Sequence, residues 1–93
     1  MNSKQRGVLA DIFAKPAKKN IRWAEVEKLF VALGADVRQG RGSRVRITLN
    51  GQQATFHTPH PSPEVRVKTL ADIRDFLILA GVQPQAEEKK KEK

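Results

Sequence analysis

The sequence predicts a small α+β domain, with helices packed on one face of a three-stranded antiparallel sheet in the order α-α-β-β-β-α. Three observations predict it. Apolar residues recur at helical spacing near both ends of the chain, and between residues 36 and 58 the period switches to two. Asn50-Gly51 sits between two of the alternating runs, and that dipeptide is the strongest short hairpin signal. At 93 residues with 39% apolar content, the chain suffices for one domain with a modest core.

The first helix is expected over Ser3 to Ala14, with Val8, Leu9, Ile12 and Phe13 on one face and Ser3 as its N-cap. Gly7 inside it costs roughly 1 kcal/mol relative to Ala, and Pro16 closes it. Lys15, Lys18 and Lys19 make the following connector basic. In the second helix Val26, Leu29, Phe30 and Leu33 repeat at i, i+3, i+4 and i+7, and Gly34 stands where a C′ glycine belongs. Its start has two solutions. Asn20 is the better cap by residue type, whereas a start at Arg22 puts Glu25 at N3 and pairs Ile21 with Val26 as a hydrophobic staple. In either case Trp23 falls in the first turn and reads as core or core edge.

From Asp36 to Gln39 a short strand is expected with Val37 inward, followed by a turn at Gly40-Arg41-Gly42. Val45, Ile47 and Leu49 then face the core, while Arg44, Arg46 and Thr48 face outward. The returning strand, Gln52 to Thr58, puts Ala54 and Phe56 inward and Gln53, Thr55 and His57 outward. A two-residue type I′ turn determines the register. Leu49 lies opposite Gln52, Thr48 opposite Gln53, Ile47 opposite Ala54, Arg46 opposite Thr55, Val45 opposite Phe56 and Arg44 opposite His57. Directly opposed residues have Cβ atoms about 5 Å apart, so Arg44 and His57 are expected to be neighbours.

Thr58-Pro59-His60-Pro61-Ser62-Pro63 follows, and three prolines at alternate positions impose an extended path and end the ladder. Arg66 and Lys68 add charge before the last helix. That helix is expected to begin at Thr69, with Asp72 completing a variant capping box. Leu70, Ile73, Phe76, Leu77 and Ala80 form its apolar face, and Gly81 and Pro84 stop it. The closing stretch QAEEKKKEK has nothing to bury and reads as disordered. The organisation expected is therefore an N-terminal helical extension (1–19), one domain (20–83) and a disordered charged tail (84–93).

The formal charge is +8, and it is unevenly spread. Residues 1–35 hold seven Lys/Arg against three Asp/Glu, residues 36–68 six against two, and residues 69–93 five of each. A basic front two-thirds favours a polyanionic partner, nucleic acid before membrane, although solubility alone is served by the same charge. With no cysteine, disulfide frameworks, thiolate zinc sites and thiol nucleophiles are excluded. No apolar run is long enough to span a bilayer and no signal-peptide core is present, so a cytoplasmic location without membrane association is expected. Two histidines three apart on a proline-locked loop, without carboxylates on the same face, do not make a metal site, and no cofactor is expected. No helix carries the basic face of a DNA recognition helix.

From Asn20 onward the order helix–strand–strand–strand–helix is that of double-stranded-RNA-binding domains. A more specific likeness lies in WAEVEKLFVALGADVRQGRGSRVRITLNGQQATFHTPHP and KTLADIRDFLILAGV, over about residues 21–82. The helix ends in ALGA, a glycine–serine turn enters the second strand, the third strand runs into a Pro-His motif, and the last helix closes in AGV. In these features the chain resembles the HicA family of bacterial toxins.

The resemblance implies a fold similar to double-stranded-RNA-binding domains, and activity as a metal-independent mRNA interferase neutralised by a HicB-type antitoxin. It also implies a catalytic histidine directly after the glycine–serine pair; here Gly42-Ser43 is followed by Arg44. The residues themselves offer another arrangement on the same face. Cleavage of RNA by its own 2′-hydroxyl needs a base, an acid for the leaving 5′-oxygen and positive charge at the phosphate. His57, across from Arg44, is the candidate base, and His60 the candidate acid. Arg41, Arg44, Arg46, Thr48, Thr55 and Lys68 are the candidate contacts to mRNA or another single-stranded RNA, the arginines through bidentate bonds to phosphate. The alternative is a catalytically inactive RNA- or protein-binding module on the same scaffold, with the arginines solvated or facing an acidic partner.

Overall fold

The computed structural model of the chain describes residues 2–14, 18, 20–59 and 63–83. Among them are α1 (Ser3–Ile12), α2 (Trp23–Ala32), β1 (Asp36–Gln39), β2 (Arg44–Leu49), β3 (Gln52–His57) and α3 (Val67–Leu79), in the order the sequence predicts. The Pro16 stop, Lys15, Lys19, His60 and the stretch from residue 84 lie outside the described residues.

The sheet runs β1-β2-β3, and both pairings are antiparallel. Asn50 and Gly51 take φ of 50° and 83°, the doubly left-handed geometry that a type I′ turn demands. All six β2–β3 pairs then fall in the expected register, from Leu49↔Gln52 to Arg44↔His57. That register puts Val45, Ile47, Leu49 and Phe56 on the buried face and leaves Arg44, Arg46, Thr55 and His57 exposed. Among the described residues no helix covers the second face of the sheet, in keeping with the alternation.

One core joins the helices to the inner face. Val26, Leu29 and Phe30 of α2, Ile73, Phe76 and Leu77 of α3, and Val8, Leu9 and Ile12 of α1 belong to a single buried cluster with the inward strand residues. At its centre three rings meet. Phe30, Phe56 and Phe76 have centroids 5.9 to 6.4 Å apart, one from each of α2, β3 and α3. These separations and tilts are those at which aromatic pairs attract beyond simple burial. Trp23 is buried, in keeping with its reading as core.

Three helix ends differ from expectation, two of them in α1. The N-cap of α1 is Asn2 rather than Ser3. The Gln5 N–H donates to Asn2 Oδ1 at 2.9 Å and the Asn2 N–H donates to Gln5 Oε1 at 3.0 Å. Capping at Ser3 would place Arg6 at N3 and forgo this reciprocal pair. The same helix ends at Ile12 with Phe13 as C-cap, short of the expected Ala14. Of the two starts open to α2, the chain takes Arg22 as N-cap; Asn20 has φ of 66°, outside the extended region that an N-cap adopts. Gly34 and Gly81, with φ of 89° and 82°, close α2 and α3 in matching Schellman motifs. In these, Ala35 N–H donates to Phe30 O and Val82 N–H to Leu77 O.

The start of α3 also differs. It begins at Val67 with Arg66 as N-cap, so Thr69 is the third helical residue. The reason lies outside the helix. After the proline-rich exit the chain pairs with the segment leading into α2. Trp23 N–H donates to Pro63 O at 3.0 Å, Val65 N–H donates to Ile21 O at 2.8 Å, and Arg22 and Glu64 form an isolated bridge. Val65 is buried by this pairing, and the next residues are free to wind at once. A tertiary anchor decides the boundary here, ahead of the side-chain capping preference of Thr69. At its far end α3 is held by the hairpin tip, where Asn50 Nδ2 donates to Ala80 O at 2.8 Å.

Candidate RNA-binding face

The open face of the sheet is built in three cross-strand rows. The β1–β2 register, Asp36↔Thr48 and Arg38↔Arg46, combines with that of β2–β3. One row is Asp36, Thr48 and Gln53; the next is Arg38, Arg46 and Thr55; the last is Arg44 and His57, with the Gly40 N–H donating to Arg44 O at 2.7 Å at the β1 end. Charge therefore changes along the face. The carboxylate of Asp36 sits at one end and is bonded by Arg38 Nε at 3.0 Å. Among the described residues no carboxylate lies within ion-pair distance of Arg41, Arg44 or Arg46.

Those three arginines gather around one hollow of about 230 Å³, lined by Gly40, Arg41, Arg44, Arg46 and Thr55. Three arginines around one hollow without a carboxylate suit a phosphate, which each guanidinium can hold through two N–H groups. The turn that carries Arg41 is tied down from the neighbouring strand. Thr58 donates twice to the Ser43 carbonyl, from its N–H at 2.7 Å and from Oγ1 at 3.1 Å. The ladder is thereby extended one step past Arg44↔His57, and the Gly42-Ser43 turn is held over the end of β3.

His57 is exposed at the end of β3, across from Arg44. It lines a second hollow, about 210 Å³, with Thr58, Pro59, Val65, Arg66 and Thr69. The Arg44–His57 pair is therefore the boundary between two adjacent depressions, and each of the two residues faces one of them.

Of the residues singled out from the sequence, Arg41, Arg44, Arg46 and Thr55 come together in the first hollow. Thr48 lies on the same face in the acidic row, where its Oγ1 accepts from Gln53 Nε2 at 3.3 Å. Lys68 is exposed in the first turn of α3 and lines neither hollow. His60 is outside the described residues. Three residues were missed. Arg38 joins the arginine row through the β1–β2 register, and Arg66 and Thr69, at the start of α3, line the same hollow as His57. The alternation around Val37 already put Arg38 on the open face; the register that sets it beside Arg46 had no two-residue turn to define it. Among the described residues no group of three or more His, Asp or Glu side chains is placed to hold a metal ion.

A family model described as the HicA toxin of bacterial toxin-antitoxin matches residues 23–82, well over half of the chain. Neither the curated proteins nor the solved structures gave a match. The matched span begins at α2 and ends just past α3, so it contains the whole open face and leaves α1 outside.

Proposed function

The chain belongs to the HicA toxin family, and on that premise we propose that it is the toxin of a bacterial toxin–antitoxin system whose open sheet face binds and cleaves single-stranded mRNA in the cytoplasm. The reaction is metal-independent endonucleolysis, and a HicB-type antitoxin neutralises it by covering the same face. The observation that carries this reading is the pairing of Arg44 with His57 on a face where, among the described residues, Arg41, Arg44 and Arg46 have no carboxylate within ion-pair distance.

In this reading a phosphate of the RNA lies in the hollow of Arg41, Arg44 and Arg46. His57 takes the proton of the adjacent 2′-hydroxyl. The 2′-oxygen bonds to phosphorus and the 5′-oxygen leaves, which gives a 2′,3′-cyclic phosphate and a free 5′-hydroxyl once His60 supplies the proton. The arginines stabilise the charge that builds on the phosphoryl oxygens. Arg44 thus has an electrostatic task at a position where the family's usual residue is a histidine.

That same replacement supports a second reading, in which the face binds RNA or protein without cleaving. Expression of the full chain in a bacterial host separates the two. Growth arrest with loss of intact mRNA, relieved by His57→Ala, supports the toxin; a harmless wild-type chain that leaves RNA whole, with EDTA or without, removes cleavage from the account. In the second case retained RNA affinity would still be measurable, and an Arg44→His variant that begins to cut would identify Arg44 as the reason for inactivity.

A further inference from the structure

The second hollow is not a repeat of the first. Where the arginine hollow is lined by a glycine, three arginines and a threonine, the one beside His57 combines an imidazole, a guanidinium and threonine hydroxyls with the side chains of Pro59 and Val65. At about 210 Å³ it has room for about seven waters by liquid volume, and a planar ring can replace them. Phosphate would leave the apolar part of that lining unused. A nucleobase would use all of it, since unstacked bases are held on His rings and Arg planes and read by hydrogen bonds at their edges.

Position points the same way. His57 and Thr55, which line one hollow each, are two residues apart on β3, about 7 Å along the strand. Arg44 and His57, one lining each, are direct register partners. A nucleotide with its phosphate among the arginines therefore has its base within reach of the second hollow.

We propose that the hollow between the end of β3 and the first turn of α3 takes one unstacked nucleobase of a single-stranded RNA, stacked against His57 or the Arg66 guanidinium and hydrogen-bonded at its edge by the Thr69 hydroxyl. The proposal rests on the reading of the arginine face as an RNA site, and it adds base recognition, hence sequence preference, which charge alone does not supply. Arg66 and Thr69 become specificity residues.

The test compares ligands with and without bases on the full-length chain carrying His57→Ala, so that RNA is not consumed, and on the wild-type chain with cleavage blocked by a 2′-O-methyl backbone. Short homopolymers of U, C and A are titrated beside inorganic polyphosphate of matched charge. The expected result with the wild-type chain is that at least one homopolymer binds on the order of tenfold more tightly than polyphosphate, in line with the value of one stacked base. Thr69→Val should flatten the ranking among homopolymers and leave the polyphosphate affinity and salt slope unchanged. His57→Ala should reduce the advantage of RNA over polyphosphate.

Equal binding of all homopolymers and polyphosphate would overturn base recognition and leave the arginine face standing. Failure of both RNA and polyphosphate to bind would overturn the two together. Because the wild-type ranking is decisive on its own, the proposal does not depend on the stability of any variant.

Discussion

Arg38 and Arg46 are direct partners across β1 and β2, and like charges so placed oppose folding. Two unit charges about 6 Å apart in water repel by about 0.7 kcal/mol. The Asp36 carboxylate, 3.0 Å from Arg38 Nε, offsets part of it, which leaves about 0.3–0.5 kcal/mol at low ionic strength. Arg46→Gln should therefore stabilise the fold by that amount, raising Tm by about 2–4 °C for a domain of this size. The same substitution removes a cation from the phosphate hollow and should weaken RNA binding. Stability and binding are expected to move in opposite directions. The assay is a double-mutant cycle with Arg38→Gln, read by thermal unfolding at about 20 mM and about 500 mM salt, the second chosen to shrink the screening length to a few ångströms. The gain from Arg46→Gln should shrink in the Arg38→Gln background and vanish at high salt. A gain of the same size in both backgrounds, or a loss at low salt, would refute the electrostatic account of this face.

Three further outcomes are expected. Phe30→Ala empties the centre of the ring cluster and should cost about 3–5 kcal/mol, a large part of the stability of a small domain, measured as a fall in urea midpoint at unchanged slope. Asn50→Gly keeps the left-handed turn but deletes the bond to the Ala80 carbonyl, and should cost about 0.5–1.5 kcal/mol in the same assay. Arg44→Gln should lower RNA affinity at low salt and reduce the magnitude of the slope of log affinity against log salt by about 0.7, the value for one phosphate contact on a single strand; an unchanged slope would mean that Arg44 does not touch phosphate.

Which parts of this molecule were legible in its sequence follows from how local their determinants are. The β2–β3 register was readable to the residue because Asn50-Gly51 leaves no freedom in the loop. Gly34 and Gly81 marked their helix ends because few other residues tolerate the backbone there. By contrast, four residues separate β1 from β2, and such a connection permits more than one register; the Arg38–Arg46 opposition was hidden for that reason. The start of α3 and the reach of Arg66 and Thr69 toward His57 depend on the pairing of residues 63–65 with 21–23. Nothing in a run of alternating prolines announces that pairing. The open face was legible, and the hollow beside its edge at the end of β3 was not, since one wall of that hollow is supplied by a helix.

That pairing also bears on how the chain reaches its native state. The β2–β3 hairpin closes over two residues and forms in about 1–10 μs as an isolated event. The Arg22–Glu64 bridge joins positions 42 apart, and closing a loop of that length from the unfolded chain carries about 3 kcal/mol of entropy before any constant term. Once the hairpin stands, much of that loop is already consumed, so assembly is ordered: hairpin first, then closure of the bridge, with docking of the first turn of α3. Trp23, the single tryptophan of the chain, donates its backbone N–H into this closure. Its fluorescence is placed to follow the step that joins the two ends of the domain.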